Sequence, residues 1–195
     1  SSVKKPMRTL HSVTSRLTNK GAFKMSVQTG TTTSNKKFSK ETASGFLIGA
    51  GASIDYRAAA LIHHSPGQEG GYFVGVTANG ILFIQDFNTK EMNILAENTI
   101  GSLPKSYIIN VSGTQNESDY QLTLSVTNDS KKIIGELTYT IEQNKVNGNV
   151  ALVSHPGTGK NAGAFWFNNW KLSGEKFNYN ASHTSGPIIS AQHTL

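Results

Sequence analysis

The sequence predicts an all-β protein, a two-sheet antiparallel β-sandwich of the jelly-roll kind. Three observations support this. Short runs of alternating apolar and polar residues recur along the chain, with turn residues between them at about the spacing of sandwich strands. Nineteen glycines and many Ser, Thr and Asn supply those turns. No strand pattern alternates with a helix-length amphipathic run, so the chain does not fit a parallel α/β sheet. At 195 residues it is long enough for one substantial core, and residues 1–195 read as a single domain.

Residues 1–40 hold nine Lys or Arg and no acid, a charge of +9, whereas residues 41–195 sum to −3. Residues 1–20 read as a loosely ordered basic arm. Its charges are spread out with little aromatic interleaving, so they read as solvated lysines and no nucleic acid is expected as a partner. No apolar run approaches the length of a membrane span, and no membrane insertion is expected. Next, Tyr72, Val74 and Val76 alternate with Phe73, Gly75 and Thr77, and I-L-F-I-Q-D-F follows Asn79-Gly80. That pair predicts a hairpin through a type I′ turn, with positive φ at both residues.

E-M-N-I-L-A-E at 91–97 has helix-forming composition but length for only a turn or so. As a strand it would put Met92 and Ile94 on one face. Tyr120, Leu122, Leu124 and Val126 share a strand face opposite Thr123 and Ser125; N-D-S-K-K turns the chain and residues 133–141 return it. A second hairpin signal, Asn147-Gly148, precedes N-V-A-L-V-S-H. The ending G-P-I-I-S-A-Q-H-T-L is strand-like and lacks a polar tail, so residues 175–195 read as a link to a following domain.

The stretch G-A-F-W-F-N-N-W-K-L-S-G at 163–174 packs four aromatics into twelve residues of a chain that is 9% aromatic. Strand periodicity turns Phe165 and Phe167 inward and Trp166 and Asn168 outward. Trp170 and Leu172 then face with Trp166, unless a bulge at Asn168-Asn169 shifts the phase. An outward indole stacks on the C–H face of a sugar ring while neighbouring amides and ammonium groups bond its hydroxyls. On this basis the candidate ligand contacts are Trp166, Trp170, Tyr72, Arg57, His63 and Asn168.

Other chemistries find little footing. Cysteine is absent, which excludes disulfides and cysteine metal sites. S-H-P-G-T-G-K at 154–160 lacks the first glycine and the final hydroxyl residue of a phosphate loop, and reads as a surface loop. His63 and His64 are adjacent, so on a strand they point to opposite faces and cannot share a metal; no metal site is expected. Glu117 and Asp119 have the i, i+2 spacing of paired catalytic carboxylates but lie in G-T-Q-N-E-S-D, a turn. D-Y-R-A-A-A-L-I-H-H at 55–64, with Lys171, has the residue types of a polysaccharide lyase. A lyase or glycoside hydrolase is therefore the enzymatic alternative, and a purely structural spacer is the third reading.

N-V-A-L-V-S-H, a loop, and F-W-F-N-N-W-K-L-S-G resemble the closing strands of concanavalin A-like, laminin G-like jelly rolls. S-Y-I-I-N-V-S-G and D-Y-Q-L-T-L-S-V-T resemble the middle strands, so the likeness spans about residues 44–174. G-F-L-I-G-A-G-x-x-x-D-Y-R-A-A at 45–59, the Trp block and the G-P-I-I ending are further similar to the amino-terminal accessory domain of secreted bacterial alkaline phosphatase D-type proteins. The resemblance implies a non-catalytic, extracytoplasmic accessory domain that binds a glycan or polysaccharide, or positions a covalently linked neighbouring enzyme. Many members of the wider fold hold a structural calcium through an Asp. The matching position is Asn168, which offers one neutral carbonyl oxygen, so no cofactor is expected.

Overall fold

The computed structural model describes residues 9–14, 22–32, 37–50, 71–89, 91–141, 149–157, 159–174, 177–184 and 190–194. These contain thirteen strands: β1 (Thr9–Thr14), β2 (Phe23–Thr31), β3 (Ala43–Ala50), β4 (Tyr72–Thr77), β5 (Ile81–Asp86), β6 (Ile94–Thr99), β7 (Tyr107–Gln115), β8 (Tyr120–Thr127), β9 (Ile133–Ile141), β10 (Asn149–His155), β11 (Phe165–Gly174), β12 (Phe177–Thr184) and β13 (Ser190–Thr194). Seven form one sheet in the order β13-β1-β10-β3-β4-β5-β6, and six form the other in the order β12-β11-β2-β7-β8-β9. The two-sheet sandwich is as the sequence predicts. One pair departs from the antiparallel rule, since β1 and β13 run parallel, Leu10 beside Ser190. Both terminal stretches enter the sheets: β1 lies within the expected basic arm and pairs with β10, while β12 and β13 lie within the expected link.

Period-two alternation builds the interior. In β7, Tyr107, Ile109 and Val111 are buried while Ile108, Asn110 and Ser112 are not. In β8, Tyr120, Leu122, Leu124 and Val126 all turn inward. Opposite them, the seven-stranded sheet contributes Phe46, Ile48, Val74, Val76, Leu82, Ile84, Val150 and Leu152 to the same core. Each such side chain contributes about 1.5–3 kcal/mol by leaving water. Phe46 reaches Trp170 across the interior at a centroid distance of 6.3 Å, and Phe23 stacks beside Tyr120 at 6.2 Å. Burial pushes the Tyr107 phenol pKa up, partly offset by the facing Ser44 hydroxyl.

The seven-stranded sheet is apolar on its outer face as well. Ala43, Leu47, Phe73, Phe83, Phe87 and Val153 form a second buried cluster there, with Met92 packed on it. Phe73 meets Phe83 at 5.1 Å and Phe87 at 5.8 Å, both edge-to-face. At the other side of the sandwich the two sheets are stitched at their edges, where Asn98 Nδ2 donates to the Glu136 carbonyl at 3.0 Å.

Two turns correct or refine the sequence reading. Between β4 and β5 the Gly80 amide donates to the Thr77 carbonyl at 3.0 Å, and positive φ is confined to Gly80, at 89°. The hairpin is thus a type I turn followed by a left-handed glycine, not the type I′ turn predicted. A Cβ at Gly80 would run into the Gly101 carbonyl, so the position excludes side chains on two grounds. Between β8 and β9 the same plan recurs. Lys131 N donates to the Asn128 carbonyl at 2.8 Å, and Lys131 takes the left-handed position at φ 64°. Residues 91–97 are no helix: a turn with Met92 at φ 47° leads into β6. Asn147-Gly148 lies outside the described residues.

The loop after β10 is tied down locally. Thr42 Oγ1 donates to the Pro156 carbonyl at 2.8 Å, and Ser39 N donates to the Asn161 carbonyl at 3.0 Å. Only a three-residue 3-10 turn, Gly159–Asn161, follows. S-H-P-G-T-G-K therefore serves as a packed connection. Glu117 and Asp119 likewise sit in a turn, where Asn116 Nδ2 donates to Asp119 Oδ1 at 2.7 Å.

Relief of the left-handed lysine gives a stability test. Lys131→Gly is expected to raise the unfolding free energy by about 0.5–1 kcal/mol, the left-handed penalty less the entropy of glycine, read by urea or thermal melting. Gly80→Ala is expected to lower it by more than Lys131→Gly raises it.

Candidate ligand-binding groove

β11 carries one residue more than its neighbour. Asn168 pairs with Gln28 and Lys171 with Ser26, so three steps along β11 match two along β2. Asn169 takes up the excess at φ 53°, a conformation Asn tolerates. Phe165 and Phe167 point inward before this bulge, and Trp170 and Leu172 point inward after it. The expectation that Trp170 faces outward with Trp166 is therefore corrected. Trp170 is 0% exposed and belongs to the core.

Trp166 does lie on the outer face, partly covered. Its indole rests over its cross-strand partner Gly30, where any Cβ would meet the ring and the Lys105 carbonyl. Asn168 is beside it, but its Oδ1 is enclosed, so that carbonyl oxygen is not presented to a ligand. Tyr72 points between the sheets and packs half-buried against the core, away from this face. Burial and the nearby Asp86 push its phenol pKa up. Arg57 and His63 lie outside the described residues.

From Asn168 onward the outer face of the six-stranded sheet forms a shallow groove with side chains in ordered rows. Strand register places Lys171, Ser26, Asn110 and Ser125 in one row. Ser173, Lys24, Ser112 and Thr123 form the next. A third row runs Asn168, Gln28, Ile108, Thr127 and Ile133. The portion around Gln28, Asn110 and Asp129 encloses about 600 Å³, and the adjoining portion around Lys24 and Ser112 about 390 Å³.

The polar groups are held in place. Gln28 Nε2 donates to Ser106 Oγ at 2.9 Å and to Asp129 Oδ1 at 3.2 Å, and Ser106 Oγ donates to that same Oδ1 at 3.0 Å. Asn110 Nδ2 donates to Thr127 Oγ1 at 3.2 Å. Ile133, 56% exposed, leaves an apolar spot at one end. Such a surface can hydrogen-bond many hydroxyls at once, because each amide or hydroxyl both donates and accepts.

A second concavity of about 450 Å³ lies on the outer face of the seven-stranded sheet, between Phe73, Phe83, Ile94 and His155. Its rings are 4% and 6% exposed and turned edge-on into one another, so neither offers a face for stacking. His155 Nδ1 lies 2.9 Å from the Glu41 carbonyl, which ties the ring to the loop before β3. Among the described residues no group of three or more His, Asp or Glu is placed to hold a metal.

Sequence reasoning brought Trp166 and Asn168 to this face and missed Ser26, Asn110, Ser112, Thr123 and Ser125. Their signal was the polar half of each alternating strand. It was legible strand by strand, but the sequence did not say that β11, β2, β7 and β8 are neighbours.

No protein-family model matches the chain, and no curated protein matches it significantly. Solved structures match its fold. Lectin II from Ulex europaeus superposes with a TM-score of 0.55 at 11% identity, covering 78% of this chain and 72% of that one. A peanut lectin in complex with a nine-residue peptide gives 0.52 at 12%, covering 93% and 95%. Lectin UEA-II complexed with galactose gives 0.52 at 10%, covering 89% and 84%. The chain has the concanavalin A-like lectin fold.

The two tryptophans give a direct check on the bulge. In Trp166→Phe the remaining emission is expected to be blue-shifted and resistant to acrylamide, whereas Trp170→Phe leaves a quenchable indole. Trp170→Ala is expected to cost about 3–5 kcal/mol in a urea melt. Gly30→Ala is expected to cost about 1–3 kcal/mol by overpacking and to expose Trp166 further.

Proposed function

We propose that this chain is a glycan-binding accessory domain that lays a polysaccharide along the groove of its six-stranded sheet. The observation that carries the reading is the groove itself: rows of hydroxyl and amide side chains set by strand register, with Gln28 and Asn110 held by hydrogen bonds, on a fold shared with lectins. Hydroxyls of a sugar would bond Asn110, Ser112, Thr123 and Ser125 directly or through water. Ile108, Ile133 and the uncovered part of Trp166 would meet the C–H faces of the rings.

Two features favour binding over the alternatives. The described lining of the groove contains one carboxylate, Asp129, whereas hydrolysis by the usual route takes a pair. A spacer domain has no use for a surface indole, and Trp166 keeps part of its ring at the surface. In this reading the domain holds a neighbouring extracytoplasmic enzyme on its polymer and raises the local concentration of one for the other.

A glycan array with the purified chain tests the proposal. Specific binding is expected, weakened about tenfold by Asn110→Ala, which removes one hydrogen-bonding amide. Trp166→Ala is expected to weaken it as well. Circular dichroism melts establish that each variant is folded. Failure of the unsubstituted chain to bind any glycan would retire this reading in favour of the spacer.

A further inference from the structure

The groove is not electrically neutral. Lys24, Lys171 and Lys131 line it, against the single carboxylate Asp129. Asp129 is already engaged, since its Oδ1 accepts from both Ser106 and Gln28. All three lysines are exposed, so their ammonium groups are available to a ligand.

Their placement is uneven in an informative way. Lys171 pairs with Ser26 and Ser173 with Lys24, which makes Lys24 and Lys171 diagonal neighbours, roughly 7–8 Å apart at the backbone. Two like charges so placed repel, and an anion between them relieves the repulsion. Lys131 sits at the far end, in the turn after β8, displaced from Lys171 by three strand spacings, about 14 Å, across the sheet and further still along the strands. The stretch between the two ends is hydroxyl and amide. A ligand that satisfies the whole strip is an extended chain with negative groups at intervals and hydroxyls between them.

From this we infer that the groove is selective for anionic polysaccharides, whose charge is carried by sulfate esters or by uronate carboxylates. The inference rests on the glycan reading above. The shared chemistry is an oxyanion that accepts ammonium hydrogens, and both sources supply it. Single-stranded nucleic acid is also a polyanion, but its bases are held by stacking on successive aromatic rings. Trp166 alone borders the groove, and no aromatic residue among those described lines it to take a second base.

The test is titration calorimetry on the full chain with four probes: a sulfated galactan, its desulfated counterpart, a polyuronate and a mixed-sequence DNA oligonucleotide. The expected result is binding of one or both acidic polysaccharides, at least tenfold tighter than the desulfated chain or the oligonucleotide. Affinity should fall as salt rises from roughly 0.02 to 0.3 M, since exposed charges are screened. Lys24→Gln with Lys171→Gln should lower it about tenfold, and Lys24→Arg with Lys171→Arg should retain it. These are exposed positions, and a thermal melt checks that folding is unaffected.

The outcomes separate the two claims. Sulfated galactan alone, or polyuronate alone, identifies the oxyanion. Equal binding of the desulfated chain, indifferent to the lysine substitutions, overturns the charge selectivity and leaves the glycan reading standing. Tight binding of the oligonucleotide overturns the selectivity and marks a general polyanion surface. No binding of any polysaccharide overturns both.

Discussion

One inserted residue in β11 governs the rest of this molecule. Without the extra step at Asn169, regular alternation would put Trp170 and Leu172 on the same side as Trp166, with Lys171 and Ser173 turned into the interior. A buried, unpaired lysine is among the costliest placements a core can hold. The bulge reverses the phase at the position where it is needed, so a single strand delivers Phe165, Phe167, Trp170 and Leu172 to the core and keeps its lysine in water. The groove and the core are two readings of the same phase shift.

The two outer faces of the sandwich have opposite characters, and this decides which of them can recognise a ligand. On the seven-stranded sheet, Leu47, Phe73, Phe83 and Phe87 are spent on one another. On the six-stranded sheet most outward positions of β2, β7, β8 and β11 are polar side chains that strand register lines up in rows, and Gln28 and Asn110 among them are fixed by hydrogen bonds. Preorganised polar groups lose little freedom on binding, which is how a shallow surface can hold a ligand that is itself heavily hydrated.

Much of the fold was legible in the sequence because alternation is a local property. The inward faces of β7 and β8 follow directly from Y-I-I-N-V and Y-Q-L-T-L-S-V, and the hairpin at residues 78–80 from its glycine. What escaped was set by tertiary context. The turn type at Asn79-Gly80 depends on the loop having three residues, not two. The orientation of Trp170 turned on whether the bulge weighed at Asn168-Asn169 forms, which alternation along β11 alone does not decide. The site was half legible: Trp166 and Asn168 could be assigned to the outward face from β11 alone, whereas the rows they join come from three strands dispersed over a hundred residues. Tyr72 was misjudged because an aromatic at a strand start gives no sign of which face of its sheet lies against the core.

The strand order has a consequence for how the chain acquires its structure. β1 sits between β10 and β13, and β2 sits between β7 and β11, so the first two strands occupy interior places in both sheets. Neither can find a neighbour until at least residue 107 has been made, and β1 must wait for residues 149–155. Closing loops of this size makes the contacts slow to form. During synthesis the β3-β4-β5-β6 and β7-β8-β9 meanders can assemble early, each with one edge open, at β3 until β10 is made and at β7 until β2 docks. Those open edges are the stage at which the nascent polypeptide is most exposed to pairing with another copy of itself.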